Sequence, residues 1–132
     1  MKRFRNIFGV FFVVLLVFSL NAGDQMTTDY KDISPQEAKM MMEENSELII
    51  IDVSPIWHKG HLPGAVNFPW GDGSFAEAAP EWKKGAMYLI YCHGDAPAIA
   101  AAKHLIENGF KHVYRLEGNF GAWKEAGYPI EK

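Results

Sequence analysis

Two short apolar runs constrain the fold of this chain more than any other feature. Residues 48–53 (Leu-Ile-Ile-Ile-Asp-Val) and 87–91 (Met-Tyr-Leu-Ile-Tyr) lack the apolar–polar alternation of a strand with one wet face. Runs of this length, rich in β-branched and aromatic residues, read as strands buried on both sides, which is the condition of a parallel sheet covered by helices. Helix signals surround them. Ser34 is a good cap, Pro35 takes the first helical position and Glu37 follows three residues after the cap, so a helix is predicted to about Glu44. Irregular chain follows Val53, with a short strand predicted over 65–68, a turn around Trp70 to Ser74, and a short helix near 75–79 ended by Pro80. Pro97 is read as opening a helix over 98–108 that Gly109 ends, its apolar residues Ile99, Ala102, Leu105 and Ile106 falling at helical spacing. Residues 112–116 read as a further strand and 120–126 as a last helix. Strands alternating with helices give the fold class α/β.

The first 22 residues stand apart. Lys2, Arg3 and Arg5 precede an apolar run from Ile7 to Phe18, the pattern of a secretory signal. The run is short for a membrane span, which needs about 20 residues. The expected organisation is a signal peptide over 1–22 (or an uncleaved anchor), a polar linker over 23–31 and one domain over 32–132. Either reading puts the domain outside the cytoplasm, in the periplasm or an equivalent compartment. Membrane contact is expected only if the segment is not cleaved. Its removal takes away three basic residues and no acidic one, leaving ten Lys plus Arg against sixteen Asp plus Glu, a net charge of −6. Such a surface is not expected to hold nucleic acid through its phosphates.

The chain has a single cysteine, Cys92. Exported domains usually pair their cysteines, so an unpaired one is a flag for reactivity, set against the buried apolar role of most free thiols. Position favours reactivity. Cys92 directly follows the 87–91 strand, and ligands of open parallel sheets bind beyond the carboxyl ends of the strands. The turn read over His93 to Pro97 leads into a helix, and its amides favour a negative charge placed among them. The thiolate is the nucleophilic form.

Further along, Asp52-Val53, Gly60-His61-Leu62-Pro63-Gly64-Ala65-Val66-Asn67, Tyr91-Cys92, Leu116-Glu117-Gly118-Asn119-Phe120-Gly121-Ala122-Trp123 and Gly127-Tyr128-Pro129 occur in order. Together they resemble a rhodanese domain over 33–129. The resemblance implies a rhodanese-like three-layer fold, with a parallel sheet of about five strands and helices on both faces. It implies a sulfurtransferase or sulfur carrier in which Cys92 takes sulfane sulfur as a persulfide and passes it to a thiol or cyanide. The substrate-binding residues are then His93, Gly94, Asp95, Ala96 and Pro97, and no metal or organic cofactor is expected. The expected partners are a small sulfur-containing donor and a thiol acceptor, with a partner protein as a further expectation.

The loop departs from the family pattern. A rhodanese loop usually carries a basic residue soon after the cysteine and an arginine at its far end, where this chain has Pro97. Ser54 stands where an arginine commonly follows the first Asp-x. Neither residue imitates the charged fork that arginine presents to oxyanions. Asp95 adds a negative charge, and His93 offers a cation only when protonated. Weak thiosulfate turnover is therefore expected. The same losses weigh against cysteine phosphatases and arsenate reductases, which hold an oxyanion with arginine. A different class of reading is a non-catalytic binding module on the same fold. A redox sensor is a third, without a resolving cysteine in the chain.

Other motifs are weaker. His58 and His61 have a ligand-like spacing, but tetrahedral zinc needs four ligands. Trp57 and Trp70 either wall the site or belong to the core, and Trp123 reads as core. Asp52 is expected to fix neighbouring backbone and Asp72-Gly73 to form a turn. Met40, Met41 and Met42 are expected to pack in the core.

Overall fold

The computed structural model describes residues 29–132; the signal-peptide reading of 1–22 falls outside the described residues. Five parallel strands form one sheet: β1 (Lys31–Ile33), β2 (Ile49–Asp52), β3 (Val66–Asn67), β4 (Met87–Tyr91) and β5 (His112–Leu116). Their order is β1-β5-β4-β2-β3, which places β4 at the centre. Four α-helices connect and cover them: α1 (Pro35–Glu44), α2 (Ser74–Ala78), α3 (Asp95–Glu107) and α4 (Asn119–Glu125). Two turns of 3₁₀ helix, Trp57–Lys59 and Ala79–Glu81, complete the regular structure among the described residues. Among the described residues no helix is long and apolar enough to cross a membrane.

Side chains alternate across the sheet, so each strand feeds two cores. On one face Ile51, Val53, Tyr88 and Ile90 pack with Phe75 and with Ala98, Ala101, Ala102 and Leu105 of α3. On the other, Ile50, Leu89, Tyr91 and Leu116 pack with Ala38 of α1 and with Phe120 and Trp123 of α4. This is the three-layer α/β arrangement, with helices on both faces.

Three details differ from the sequence reading. Strand β1 begins at Lys31, inside the stretch assigned to a linker; it is three residues long and held by pairing with β5. Helix α3 begins at Asp95, capped by Gly94, so Asp95, Ala96 and Pro97 form its first turn and Pro97 does not open it. A proline in the first turn removes no intrahelical donor, because those N–H groups have no partner inside the helix. Met40 is 56% exposed rather than core, while Met41 and Met42 pack against the second core.

Candidate active site

The carboxyl ends of β2 and β4 lie side by side, with Asp52 in register with Tyr91. Val53 extends the pairing, its N–H donating to the Tyr91 carbonyl at 2.9 Å. Asp52 is fully buried and organises the chain that leaves β2. Its Oδ1 accepts the Ser54 N–H at 2.8 Å, and its carbonyl accepts the Asn67 side-chain amide at 2.9 Å. Ser54 is also fully buried, and its hydroxyl accepts the Ile56 N–H at 3.2 Å. Ser54 thus shapes the turn from beneath.

Cys92 leaves the end of β4 and is 3% exposed. Its parity is that of Tyr88 and Ile90, so its side chain joins the α3-side core, the cluster that includes Val53 and Ala98 and against which the partly buried Phe68 and Trp70 pack. Both backbone polar groups of Cys92 are tied to the start of α4. The Cys92 N–H donates to Asn119 Oδ1 at 3.2 Å, and the Phe120 N–H donates to the Cys92 carbonyl at 3.0 Å.

Local backbone geometry makes that tie. Gly118 has φ +79°, and a Cβ there would stand 2.5 Å from the Ala122 Cβ, so only glycine fits. Asn119 follows at φ 58°, a left-handed conformation that asparagine tolerates better than most residues. Two successive left-handed residues fold the chain back sharply from β5 into α4 and point the buried Asn119 carboxamide at the cysteine.

The same carboxamide reaches the first residue of α3. Asn119 Nδ2 donates to Asp95 Oδ1 at 2.7 Å, and Arg115 Nη1 donates to the same oxygen at 3.1 Å. Arg115 Nε donates to Asp32 Oδ1 at 2.7 Å. Burial opposes the charge on Arg115, but Asp32 and Asp95 outweigh it and hold the guanidinium above its ordinary pKa. Sequence reasoning missed Asp32 and Arg115 and met Asn119 only as part of a motif. One signal was present: Arg115 shares the parity of Val113, so a charged residue faces a core and needs a partner.

His93 turns away from Cys92. Its ring stacks on Phe120, with centroids 4.5 Å apart, and its Nε2 lies 3.8 Å from Asp52 Oδ2. Both of these atoms are buried and neither has a hydrogen-bond partner. Burial pushes the His93 pKa down; Lys124 acts in the same direction, while Asp52 and the Gly60 carbonyl act against it. Burial, with a contribution from Asp52, also raises the Tyr91 phenol, whose oxygen accepts the Leu62 N–H at 2.9 Å.

His61, Trp57 and Trp70 are placed by packing. His61 stacks on Trp57 at 4.1 Å, and its Nδ1 lies 3.2 Å from the Trp57 carbonyl. Trp70 packs against the core that holds Cys92, and Trp57 does not. Among the described residues, no group of three or more His, Cys, Asp or Glu side chains is arranged to hold a metal ion.

Comparisons with known proteins agree with this architecture. The family model described as "Rhodanese-like domain" matches residues 34–126. The thiosulfate sulfurtransferase GlpE of Glaesserella parasuis serovar 5 is 26% identical over 106 residues, which span 80% of this chain and 97% of that protein. The thiosulfate sulfurtransferase GlpE of Coxiella burnetii is 31% identical over 97 residues, spanning 72% of this chain and 88% of that one. The crystal structure of the Alr3790 protein from Anabaena sp. superposes with a TM-score of 0.66 at 28% identity, covering 75% of this chain and 90% of the other.

Proposed function

The chain belongs to the rhodanese-like family, and on that premise we propose that it is a sulfurtransferase or sulfur carrier working through a persulfide on Cys92. One observation carries the reading. The single cysteine lies at the carboxyl end of the central strand, with both of its backbone groups fixed by the start of α4. The Cys92 thiolate attacks the outer sulfur of a sulfane donor. A bond forms between the two sulfurs as the donor's own bond breaks, and its electron pair leaves on sulfite or on a thiolate. A thiol or cyanide then attacks the outer sulfur of the persulfide, and the Cys92 thiolate is released.

The relatives named above are thiosulfate sulfurtransferases, but this loop has no arginine and carries Asp95, so thiosulfate is a poor donor here. The basic start and apolar run of 1–22 support export, with the domain acting outside the cytoplasm on small sulfur compounds. The slight exposure of Cys92 favours one rival, a binding module in which the thiol is packing.

Intact-mass spectrometry decides between them. The exported domain is incubated with polysulfide and, separately, with thiosulfate, with Cys92→Ser as control. The expected result is a gain of one sulfur from polysulfide, removed by cyanide or a thiol and absent from the variant, with far less loading from thiosulfate. No adduct from either donor overturns the persulfide reading and leaves the binding module.

A further inference from the structure

Arg115 is the only arginine of the chain after Arg5. It stands on the face of β5 that looks toward α3, in register with Ile90, two residues before Cys92. The domain therefore does hold a guanidinium on the same side of the sheet as the cysteine side chain. It is committed, however, with Nε on Asp32 and Nη1 on Asp95, and the residue is 7% exposed. Two carboxylates around one guanidinium leave the trio with a net charge of −1.

Asp95 is the more exposed of the two carboxylates, at 68% for its side chain against 43% for Asp32. The Asp95 oxygen that takes Arg115 also takes Asn119 Nδ2, and the other end of that carboxamide accepts the Cys92 N–H. A single side-chain amide thus separates a carboxylate from the backbone of the cysteine. An anion is therefore already in place one side-chain amide from the cysteine backbone, and the guanidinium on that side of the sheet is already engaged.

We propose that Asp95 is a specificity-determining residue: it occupies Arg115 as an internal anion and directs the Cys92 site to uncharged sulfane-sulfur donors, such as protonated organic persulfides, and away from dianions such as thiosulfate. The chemistry named here rests on the sulfurtransferase reading; the electrostatics rest on the geometry alone. With a protonated persulfide, the Cys92 thiolate bonds to the outer sulfur, which keeps its proton. The donor's S–S bond breaks, and its electron pair leaves on the inner sulfur as a thiolate.

The test is Asp95→Asn, which keeps an acceptor oxygen for Asn119 and Arg115 and removes only the charge. Cys92 of the exported domain is alkylated with neutral iodoacetamide and with anionic iodoacetate at low ionic strength, and the ratio of the two rates is compared between proteins. The wild type is expected to favour the neutral reagent, and Asp95→Asn to shrink that preference about threefold, the size of effect one nearby charge exerts through a partly wet site. In parallel, kcat/KM for thiosulfate relative to a simple alkyl persulfide with no other ionisable group, at a pH where its sulfhydryl is protonated, is expected to rise about tenfold, since a dianion feels the lost charge twice. Adding Arg115→Met to Asp95→Asn should reverse both gains while the urea midpoint and the circular dichroism spectrum stay those of a folded domain.

An alkylation ratio indifferent to Asp95→Asn in a protein that loads sulfur overturns the assignment and leaves the sulfurtransferase reading intact. A shifted ratio in a protein that loads sulfur from no donor overturns the sulfurtransferase reading and supports the electrostatic role. A thiol inert to both reagents overturns both.

Discussion

The imidazole of His93 packs on Phe120, one residue along from the thiol, and faces the buried carboxylate of Asp52 across 3.8 Å. Burial lowers its pKa from 6.5, and Lys124 of α4 adds to the effect; Asp52 of β2 and the Gly60 carbonyl oppose it. The folded protein therefore holds the neutral ring better than the unfolded chain does. Just below pH 6.5 the unfolded chain binds more protons, so stability rises with pH there. His93's contribution is complete above its unfolded value and is lost as the pH falls through its lowered folded value. Thermal unfolding followed from about pH 7.5 to about pH 5 should show a steeper fall in Tm for wild type than for His93→Gln. Parallel curves would mean that the charged ring closes onto Asp52 without cost. At neutral pH the ring is uncharged, so His93 does not supply the cation the loop lacks. The placement of Cys92 at the end of a buried strand was legible because one cysteine after such a strand is a local signal. Asp32, Arg115 and Asn119 were not, because their partners are 20 to 83 residues away along the chain.

At the level of elements, legibility followed the same divide. Helix α1 was readable to the residue, because its start is written within four positions. The Ser34 hydroxyl accepts the Glu37 N–H at 3.1 Å, and the Glu37 carboxylate accepts the Ser34 N–H at 2.8 Å. Strands β4 and β5 were equally plain from their composition. Strand β1 was not, because Lys31-Asp32-Ile33 has one buried residue in three and exists through its register with β5. Helix α3 starts two residues before the proline that drew attention, because Gly94 caps it without a side chain and Asp95 is held from outside the helix. The capping box also joins α1 to β1, since Ile33 directly precedes the cap and its carbonyl accepts the Glu117 N–H at 2.8 Å. Ser34→Ala removes one arm of the box and should lower stability by about 1 kcal/mol in urea unfolding. A change within error would show that pairing of β1 with β5 fixes the entry to α1 unaided.

For the whole molecule, the sheet is a partition. The α3-side core and the α1/α4-side core share no side chain, and they communicate only through the strands between them. Each face has its own fluorescent reporters: Trp70 and Trp82 pack on the α3 side, and Trp123 is buried on the other. Neither helix layer is stable without the sheet, and a sheet stripped on one face exposes a row of apolar side chains. The two cores should therefore unfold as one cooperative unit, as small domains usually do. Leu105 on the α3 side and Leu62 on the other are both fully buried, so Leu105→Ala and Leu62→Ala should each cost about 2–5 kcal/mol. Their clusters do not meet, so the double variant should lose the sum of the two to within about 0.5 kcal/mol. That sum is a large part of the roughly 5–15 kcal/mol typical of a domain this size, so the double variant should be marginal at room temperature. The decisive measurement is urea unfolding of each single variant in two backgrounds, one lacking Trp57 and Trp123 and one lacking Trp57, Trp70 and Trp82. If the partition couples the cores, either cavity shifts the midpoint equally in both backgrounds. A Leu105→Ala midpoint that moves only where Trp70 and Trp82 report would mean that the α3 layer detaches first. The helix carrying Asp95 would then open independently of the strand carrying Cys92.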